Sequence, residues 1–257
     1  MSKASIMSPY CKQHAIVLRL IALCCAILLP VILVAEGYAK KPNIVNYQRV
    51  IVIDPGHGGY AKGAKGPERT LEKTVTFNLA RIIAVELSNT YKVILTRTDD
   101  YWLDIPGRTA TANHEVADLF ISIHTGGSFH YQASGMTLYY FKEPLGPALT
   151  QTTELLKPLK SGTQIPWKKI QNRHKTTSNA LAELIRKRIN AQVIFIESKV
   201  RGAPLMVLEG ADMPAVVIEI GYITNPAEEK SLRDINVLSK IAKGIRAAID
   251  EFFQKVR

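Results

Sequence analysis

An apolar strand that runs into a glycine turn carrying one histidine constrains this chain more than any other stretch. Val50 to Ile53 is a continuous β-branched run, which is typical of a strand covered on both faces in an α/β sheet. The turn Asp54-Pro-Gly-His-Gly-Gly59 then breaks the strand, because proline fixes φ and glycine tolerates positive φ. His57 is therefore predicted at the carboxyl end of a strand, where open α/β sheets bind their ligands.

A second strand repeats this pattern further along the chain. Ala117 to Ile123 is largely apolar and is followed by His124 and then by Thr125-Gly-Gly127. Carboxyl ends of parallel strands meet at the same edge of a sheet, so we expect the two histidines at that edge. Between the two strands, apolar residues recur at helical spacing from Leu71 to Ser88, and Tyr91 to Thr96 is a further strand. The crossover length suits parallel pairing.

Glu72 stands in the first turn of that predicted helix and has two interpretations. Acidic residues are common at helix N-termini, where they complement the dipole. Alternatively, the carboxylate points back toward His57 as a ligand.

The remaining periodicities complete an α/β domain. They predict further strands at Gly135–Phe141, Leu205–Leu208 and Ala215–Asn225, and helices at 104–117 (containing Arg108), 178–190 and the C-terminus. At 257 residues with 47% hydrophobic content, the chain is sufficient for one large domain. The predicted fold is α/β, a single domain with a mostly parallel, twisted sheet of about six strands flanked by helices on both faces.

Glu219 interrupts the apolar run of the last predicted strand. An ionised carboxylate buried in a strand costs several kcal/mol unless a cation, a metal or strong donors accompany it. A paired structural carboxylate is the plainer interpretation, and a functional group is the other. Together, His57, Glu72 and His124 offer two imidazoles and a carboxylate, which suits zinc with a fourth position open. Glu219 nearby would supply a base for metal-assisted amide hydrolysis.

The first 39 residues have the order of an export signal. Lys3, Lys12 and Arg19 precede an uncharged run of 16 residues, from Leu20 to Ala35, which is short of the ~20 that span a membrane comfortably. We predict cleavage after Ala39. The alternative is that the leader stays uncleaved and anchors the protein, in which case we expect no other contact with the membrane. Residues 40–48 are then a linker and 49–257 the catalytic domain. All three cysteines, Cys11, Cys24 and Cys25, fall in the leader, so thiol chemistry is excluded for the mature chain.

The chain carries a net charge of +11, of which the leader contributes +2. Such an excess favours an anionic partner. Combined with an export signal, it indicates an anionic envelope polymer or membrane surface rather than nucleic acid; a solvated basic face with no specific partner is the alternative.

Residues 142–177 form a long stretch rich in proline and lysine between two predicted elements. Connections of this length are often functional lids, although a variable surface excursion is as common. A short helix is predicted near Leu149 to Leu156.

Several separate blocks of this sequence resemble the zinc-dependent N-acetylmuramoyl-L-alanine amidases, the amidase-3 family of cell-wall amidases. The resemblance covers about residues 48 to 255 in order. The blocks are Asp54-Pro-Gly-His-Gly-Gly59, Leu71-Glu-Lys73, Leu95-Thr-Arg97, Ala117-Asp-Leu-Phe-Ile-Ser-Ile-His124 and Met213-Pro-Ala-Val-Val-Ile-Glu-Ile-Gly-Tyr-Ile-Thr-Asn-Pro226.

This resemblance implies a peptidoglycan hydrolase that is exported to the periplasm or cell envelope. Enzymes of the family cleave the amide between the lactyl group of N-acetylmuramic acid and L-alanine of the stem peptide, and they help daughter cells to separate. The resemblance implies that His57, Glu72 and His124 bind Zn²⁺ and that Glu219 is the catalytic glutamate.

The sequence departs from the family at the rim of the site and in the insertion. Many members have an aspartate where Ala61 or Lys62 stands, and an alanine and asparagine where Thr125 and Gly126 stand. Members regulated by divisome activators carry a long inhibitory insertion near residues 142–177, which is short here. We therefore expect weak or absent autoinhibition, with Glu154 as the one carboxylate of its predicted helix that could occlude the metal.

Further assignments stay open at the sequence level. Arg108 is a candidate contact for a substrate carboxylate, or else an arginine of the helix surface without a role, and His130 is a candidate lining residue. Asp54 is a candidate for orienting the His57 turn, although stabilisation of the turn is the role we favour. A zinc carboxypeptidase or endopeptidase acting on the stem peptide and a non-catalytic peptidoglycan-binding homologue are the competing functions. A monomer is expected.

Overall fold

The computed structural model describes residues 48–143, 167–193 and 197–255. Its strands are β1 (Val50–Pro55), β2 (Lys92–Leu95), β3 (Leu119–Gly126), β4 (Met136–Phe141), β5 (Ser198–Ala203) and β6 (Ala215–Tyr222). The α-helices are α1 (Glu72–Leu87), α2 (Ile105–His114), α3 (Lys175–Asn190), α4 (Pro226–Arg233) and α5 (Ile235–Lys255). Two 3₁₀ helices, Trp167–His174 and Met206–Leu208, complete the described elements.

The strands form one six-stranded sheet in the order β2-β1-β3-β6-β4-β5. β1, β2, β3 and β6 run parallel, whereas β4 pairs antiparallel with β6 and parallel with β5. The mostly parallel six-stranded α/β sheet predicted from the sequence is thus confirmed. In this register His124 on β3 lies opposite Glu219 on β6, so the central strand pair carries two candidate site residues side by side.

Each face of the sheet has its own apolar core, because successive side chains of a strand point to opposite faces. Ile51 and Ile53 of β1 pack with buried residues of α1, α3 and α5. Val50 and Val52 pack on the other face with Ala112 of α2 and with Leu208. Helices on both faces are confirmed, but unequally: the long helices share one face, and α2 with the 3₁₀ helix Met206–Leu208 covers the other.

The strand predicted at Leu205–Leu208 is wrong. These residues form a 3₁₀ turn, in which the amide of Leu208 donates to the carbonyl of Leu205 at 3.0 Å, and Leu208 is fully buried. A short apolar run fits a buried turn as well as a buried strand. The fifth strand is β5 at the sheet edge, which shows no apolar run: none of its residues is buried, Lys199 is half-buried and Arg201 is exposed.

Part of the long stretch 142–177 belongs to the folded domain. The side-chain amide of Gln171 is buried and donates to the carbonyls of Ala211 at 2.7 Å and Met213 at 2.9 Å. Its oxygen accepts the hydroxyl of Ser178 on α3 at 3.1 Å. α3 accordingly begins at Lys175, three residues before the prediction. Glu154 and the helix predicted near Leu149 to Leu156 lie outside the described residues, as do the leader 1–39 and most of the linker 40–48.

None of the helices within the described ranges is long and apolar enough to cross a membrane.

Candidate metal centre

His57, Glu72 and His124 converge at the carboxyl edge of the sheet. One potential ligand atom from each residue lies within 4.8 Å of the other two. Glu72 joins the imidazoles: its Oε2 is 3.1 Å from Nε2 of His57, and its Oε1 is 3.0 Å from Nδ1 of His124. The two rings stand edge to face, with centroids 5.1 Å apart. The structure therefore brings together the three residues that the sequence predicted as ligands.

The local fold explains this convergence. β1 and β3 pair in parallel, so the turns that follow them leave the sheet at one edge. His57 adopts φ 62°, a left-handed conformation that non-glycine residues adopt mainly where the surroundings enforce it. Glu72 is held from two sides: its oxygens accept the amides of Ala64 at 2.8 Å and Thr125 at 3.0 Å. The carboxylate in the first turn of α1 is thus directed at both histidines.

Two glycines leave room for these side chains. A Cβ added at Gly56 would lie 2.4 Å from Cε1 of His124. One added at Gly63, where φ is +70°, would lie 2.5 Å from Oε2 of Glu72 and 2.7 Å from Cδ2 of His57. Side-chain atoms do not approach so closely, so both positions require glycine if the three groups are to meet.

The electrostatics of the two glutamates differ. Burial alone would raise the pKa of Glu72, but the hydrogen bonds and charges of His124 and His57 outweigh it and hold that pKa far below its ordinary value. The pKa of Glu219 is raised instead. Burial has the largest effect and the charge of Glu72 raises the pKa further, whereas the charge of His124 and a hydrogen bond from Tyr139 lower it without outweighing burial. One carboxylate is thus suited to stay ionised as a ligand, and the other to exchange a proton.

Comparison with known proteins identifies the family. Residues 51–251 match the family model described as N-acetylmuramoyl-L-alanine amidase. The chain belongs to this family.

Curated relatives and solved structures agree with the family model. The chain is 28% identical over 214 residues to a putative N-acetylmuramoyl-L-alanine amidase of Buchnera aphidicola, covering 80% of this chain and 97% of the relative. It is 28% identical to the amidase AmiC of Escherichia coli, where the match covers 79% of this chain and 52% of AmiC, about half its length. Among solved structures, the catalytic domain of the amidase CwlV from Bacillus (Paenibacillus) polymyxa superposes with a TM-score of 0.66 at 27% identity, covering 80% and 99% of the two chains.

Membership places this chain among enzymes, as an amidase of the cell wall with peptidoglycan as its substrate. The His-His-Glu group fits a metal site typical of the family. A cell-wall amidase works outside the cytoplasm, so an extracytoplasmic location follows.

Arg108 of the amidase lies beneath the His57 turn. The residue is 5% exposed, and its guanidinium donates to Oδ1 of Asp54 at 2.7 Å and to the carbonyls of Pro55, His57 and Leu103, each at 3.0 Å. These bonds point to positioning of the turn, and the predicted contact with a substrate carboxylate stays a prediction.

Asp54 acts on the same turn through Arg108. Its buried carboxylate also accepts the hydroxyls of Thr96 at 2.5 Å and Ser122 at 2.6 Å, which ties β1 to both neighbouring strands. These contacts hold the turn, and no direct bond joins Asp54 to the His57 ring among the described contacts, so the orienting role of Asp54 stays a prediction.

Two cations that support the turn received no role from the sequence. Arg97 is 1% exposed and donates to the carbonyls of Pro55 at 3.0 Å, Gly56 at 3.2 Å and Lys73 at 2.9 Å. Lys73 donates to the Gly59 carbonyl at 2.8 Å and pairs at 2.6 Å with Asp100, which in turn accepts the Gly59 amide at 2.8 Å. The available signal is an arginine two residues after the end of β2.

His130 lies at the surface, on the loop after β3, where its amide donates to the hydroxyl of Ser128 at 3.1 Å. It is not among the residues that line the cleft beside the metal centre. Its role as a lining residue stays a prediction.

A cleft of about 760 Å³ opens from the metal centre of the amidase. His57, His124 and Glu219 line it together with two mostly apolar walls. One wall consists of Trp102, Leu103, Asp104, Ile105 and Pro106, and the other of Pro204, Leu205, Met206 and Val207.

Proposed function

We propose that this amidase hydrolyses the amide between the lactyl group of N-acetylmuramic acid and L-alanine of the stem peptide, with Zn²⁺ as its metal and Glu219 as general base. The observation that carries the proposal is one carboxylate, Glu72, shared between two imidazoles at the end of a cleft that Glu219 also lines.

The donor set fits zinc. Two imidazole nitrogens and one carboxylate oxygen are common zinc ligands, and bonds of about 2.0–2.2 Å in tetrahedral geometry place ligand atoms roughly 3.3 Å apart. Nε2 of His57 lies 3.1 Å from Oε2 of Glu72, and Nδ1 of His124 lies 3.0 Å from the other oxygen, Oε1, so each imidazole is already at about this distance from one carboxylate oxygen. Three protein ligands would leave a fourth position of the metal for water, and the glycine cradle formed by Gly56 and Gly63 leaves room for the side chains of His57, Glu72 and His124. A zinc ion bound there would lower the pKa of a water molecule and polarise the scissile carbonyl.

Glu219 performs the proton transfer in this proposal. It lies opposite His124 across the β3–β6 pair, and it does not belong to the three-residue ligand group. Its carboxylate takes a proton from the attacking water and passes it to the amine of L-alanine as the amide breaks. A raised pKa suits that task, because the proton that arrives must also leave.

Mass spectrometry of the products tests the bond. Residues 40–257 would be incubated with purified peptidoglycan, with zinc and with a chelator. The proposal expects intact stem peptides and peptide-free glycan with zinc, and neither with chelator. Release of D-alanine alone would move the activity to a carboxypeptidase on the same site and contradict the proposed bond.

We further propose that the amidase is exported through residues 1–39, acts in the periplasm or cell envelope, and remodels the wall as daughter cells separate. The order of charges and apolar residues in the leader supports the export step. A divisome activator is a proposed partner. The basic composition supports direct attraction to the anionic wall, with no nucleic acid involved.

A further inference from the structure

The wall of the cleft next to His57 carries an exposed aromatic pair. Trp102 is 48% exposed and Tyr60 is 73% exposed. Their rings stack with centroids 5.3 Å apart and planes inclined by 24°. Large aromatic side chains left in water forgo the free energy of burial, so an ordered exposed pair beside a reaction centre indicates a contact surface.

The aromatic pair is fixed relative to the metal centre. Gly59 packs against the backbone of Trp102, since a Cβ added at Gly59 would come within 2.7 Å of the Trp102 amide nitrogen. The Asp100 carboxylate, two residues before Trp102, accepts the Gly59 amide at 2.8 Å. The turn that presents His57 and the indole therefore form one unit, and Trp102 lines the same cleft as His57 and Glu219.

The charges of the cleft walls discriminate between the two halves of the substrate. The stem peptide carries carboxylates, whereas the glycan rings are uncharged. Arg108 is the one Lys or Arg side chain among the described lining residues, and its four hydrogen bonds commit it to Asp54 and three backbone carbonyls. Asp104 accepts the Gly107 amide at 2.9 Å and adds negative charge. Walls without an available Lys or Arg side chain suit the uncharged glycan rings better than the carboxylates of the stem peptide.

From these observations we infer that Trp102 is a sugar-stacking residue of this amidase, binding the pyranose ring of the glycan next to the scissile amide, with Tyr60 positioning the indole. The inference rests on the proposed function, in which only the lactyl group separates that ring from the amide. The C–H bonds on one face of a pyranose carry partial positive charge and complement the negative face of an indole. A cleft of about 760 Å³ has the size typical of small-ligand sites.

Kinetics on two soluble substrates tests the inference. One substrate is a disaccharide–peptide with the muramyl ring, and the other is a lactoyl peptide that keeps the same amide but lacks the sugar. Trp102→Ala is expected to lower kcat/KM about tenfold on the first and to leave the second within about twofold. Trp102→Phe should restore most of the loss, and Ile235→Ala, an exposed apolar truncation on α5, should change neither. An equal loss on both substrates would assign the indole to support of the turn and overturn the inference.

A binding measurement separates this inference from the proposed function. The chain has two tryptophans, so Trp167→Phe leaves Trp102 as the single indole. Peptide-free glycan oligosaccharides should then change its fluorescence saturably, without any turnover. No change with the amidase activity intact would overturn the inference alone. A saturable change in a protein that cleaves neither substrate would support the sugar contact and overturn the proposed function instead.

Discussion

Glu219 is the residue on which the proposed chemistry depends most directly. Glu219→Gln keeps the shape of the side chain but cannot accept a proton, so we expect kcat to fall by about 10²–10⁴-fold. Zinc content should stay at the wild-type level, because Glu219 is outside the ligand group. Turnover of a muropeptide and metal analysis of the same sample check both statements.

The matched control is Glu183→Gln, an exposed glutamate on α3 that pairs with Arg186. Its activity should equal that of the wild type. Full activity of Glu219→Gln would remove Glu219 from the mechanism, and a loss of zinc in that variant would show that it acts as a ligand instead.

A second prediction for a single residue concerns Gly63. Gly63→Ala places a methyl group against Glu72 and His57 and strains a backbone at φ +70°. We expect zinc affinity to fall by at least about tenfold, with activity falling in parallel. Gly210→Ala is the control, since Gly210 has a similar φ of 83° but is not one of the glycines that make room for the three ligands. Unchanged zinc affinity in Gly63→Ala would contradict the cradle described for the site.

At the residue scale, sequence reasoning identified the groups that meet and missed the groups that hold them. Two histidines after two similar strands, and a glutamate inside an apolar strand, are conspicuous because each breaks a local pattern. Arg97 and Lys73 were missed because their partners are backbone carbonyls of Pro55, Gly56 and Gly59. Such partners have no side-chain signature in a sequence.

At the scale of elements, Arg108 fastens α2 to the end of β1. Arg108→Lys keeps the charge but cannot reproduce the planar fork that reaches Asp54 and three carbonyls. We expect the free energy of unfolding to fall by about 2–4 kcal/mol, because Asp54 and the carbonyls would be buried without their donors. Chemical denaturation measures the change, with Arg186→Lys in an exposed pair as control. An effect no larger than that of the control would contradict the role assigned to Arg108.

Glu229 links α4 to the loop before α1 and makes stability depend on pH. Burial would raise its pKa, but the amides of Glu68 at 2.9 Å and Thr70 at 3.0 Å outweigh burial and hold the pKa below its ordinary value. A pKa that is lower in the folded state contributes stability above the unfolded pKa, and the contribution disappears as the pH falls through the folded one.

Glu229→Gln should therefore lower the free energy of unfolding by about 2 kcal/mol near neutral pH, where the charged acceptor is lost. The difference from the wild type should shrink as the pH is lowered toward the folded pKa. Denaturation curves at a series of pH values measure it. A difference that stays constant, or grows toward acid pH, would contradict the sign of the shift.

Elements were predictable where burial imposed a pattern. β1, β3 and β6 are central strands, and their buried runs are continuous in the sequence. β5 lies at the sheet edge, has no buried residue and shows no apolar pattern, whereas the neighbouring apolar run at Leu205–Leu208 predicts a strand where the chain forms a 3₁₀ turn. The antiparallel direction of β4 follows from the connection before it, because residues 127–135 are shorter than the dozen or so residues that a parallel crossover needs. We did not use this signal in predicting the sheet.

At the scale of the whole molecule, the segment 144–166 raises the question of autoinhibition. Replacing it with a glycine-serine linker of equal length retains Gln171 and its buried contacts, which deletion of the full stretch 142–177 would remove. Weak autoinhibition predicts that the initial rate on peptidoglycan changes by less than about threefold. A rise of an order of magnitude would contradict it and would make Glu154 the first residue to test.

The proposed activity needs two parts of the molecule: the sheet edge, where His57, Glu72 and His124 converge, and the cleft that extends from them. The fold class followed from the periodicity of strands and helices, and the ligand types already indicated zinc. The family resemblance supplied the bond that is cleaved. The aromatic pair could not have been predicted, because Tyr60 and Trp102 belong to two separate turns that meet only in the folded chain.

Anomalous diffraction at the zinc edge, from crystals of residues 40–257 grown with zinc, tests the central claim most directly. The account predicts one strong peak about 2.0–2.2 Å from a ligand atom of His57, Glu72 and His124, with the Glu219 carboxylate outside bonding distance. A peak bound to other side chains, or the absence of any peak at these three residues, would contradict the metal centre on which the proposed hydrolysis rests.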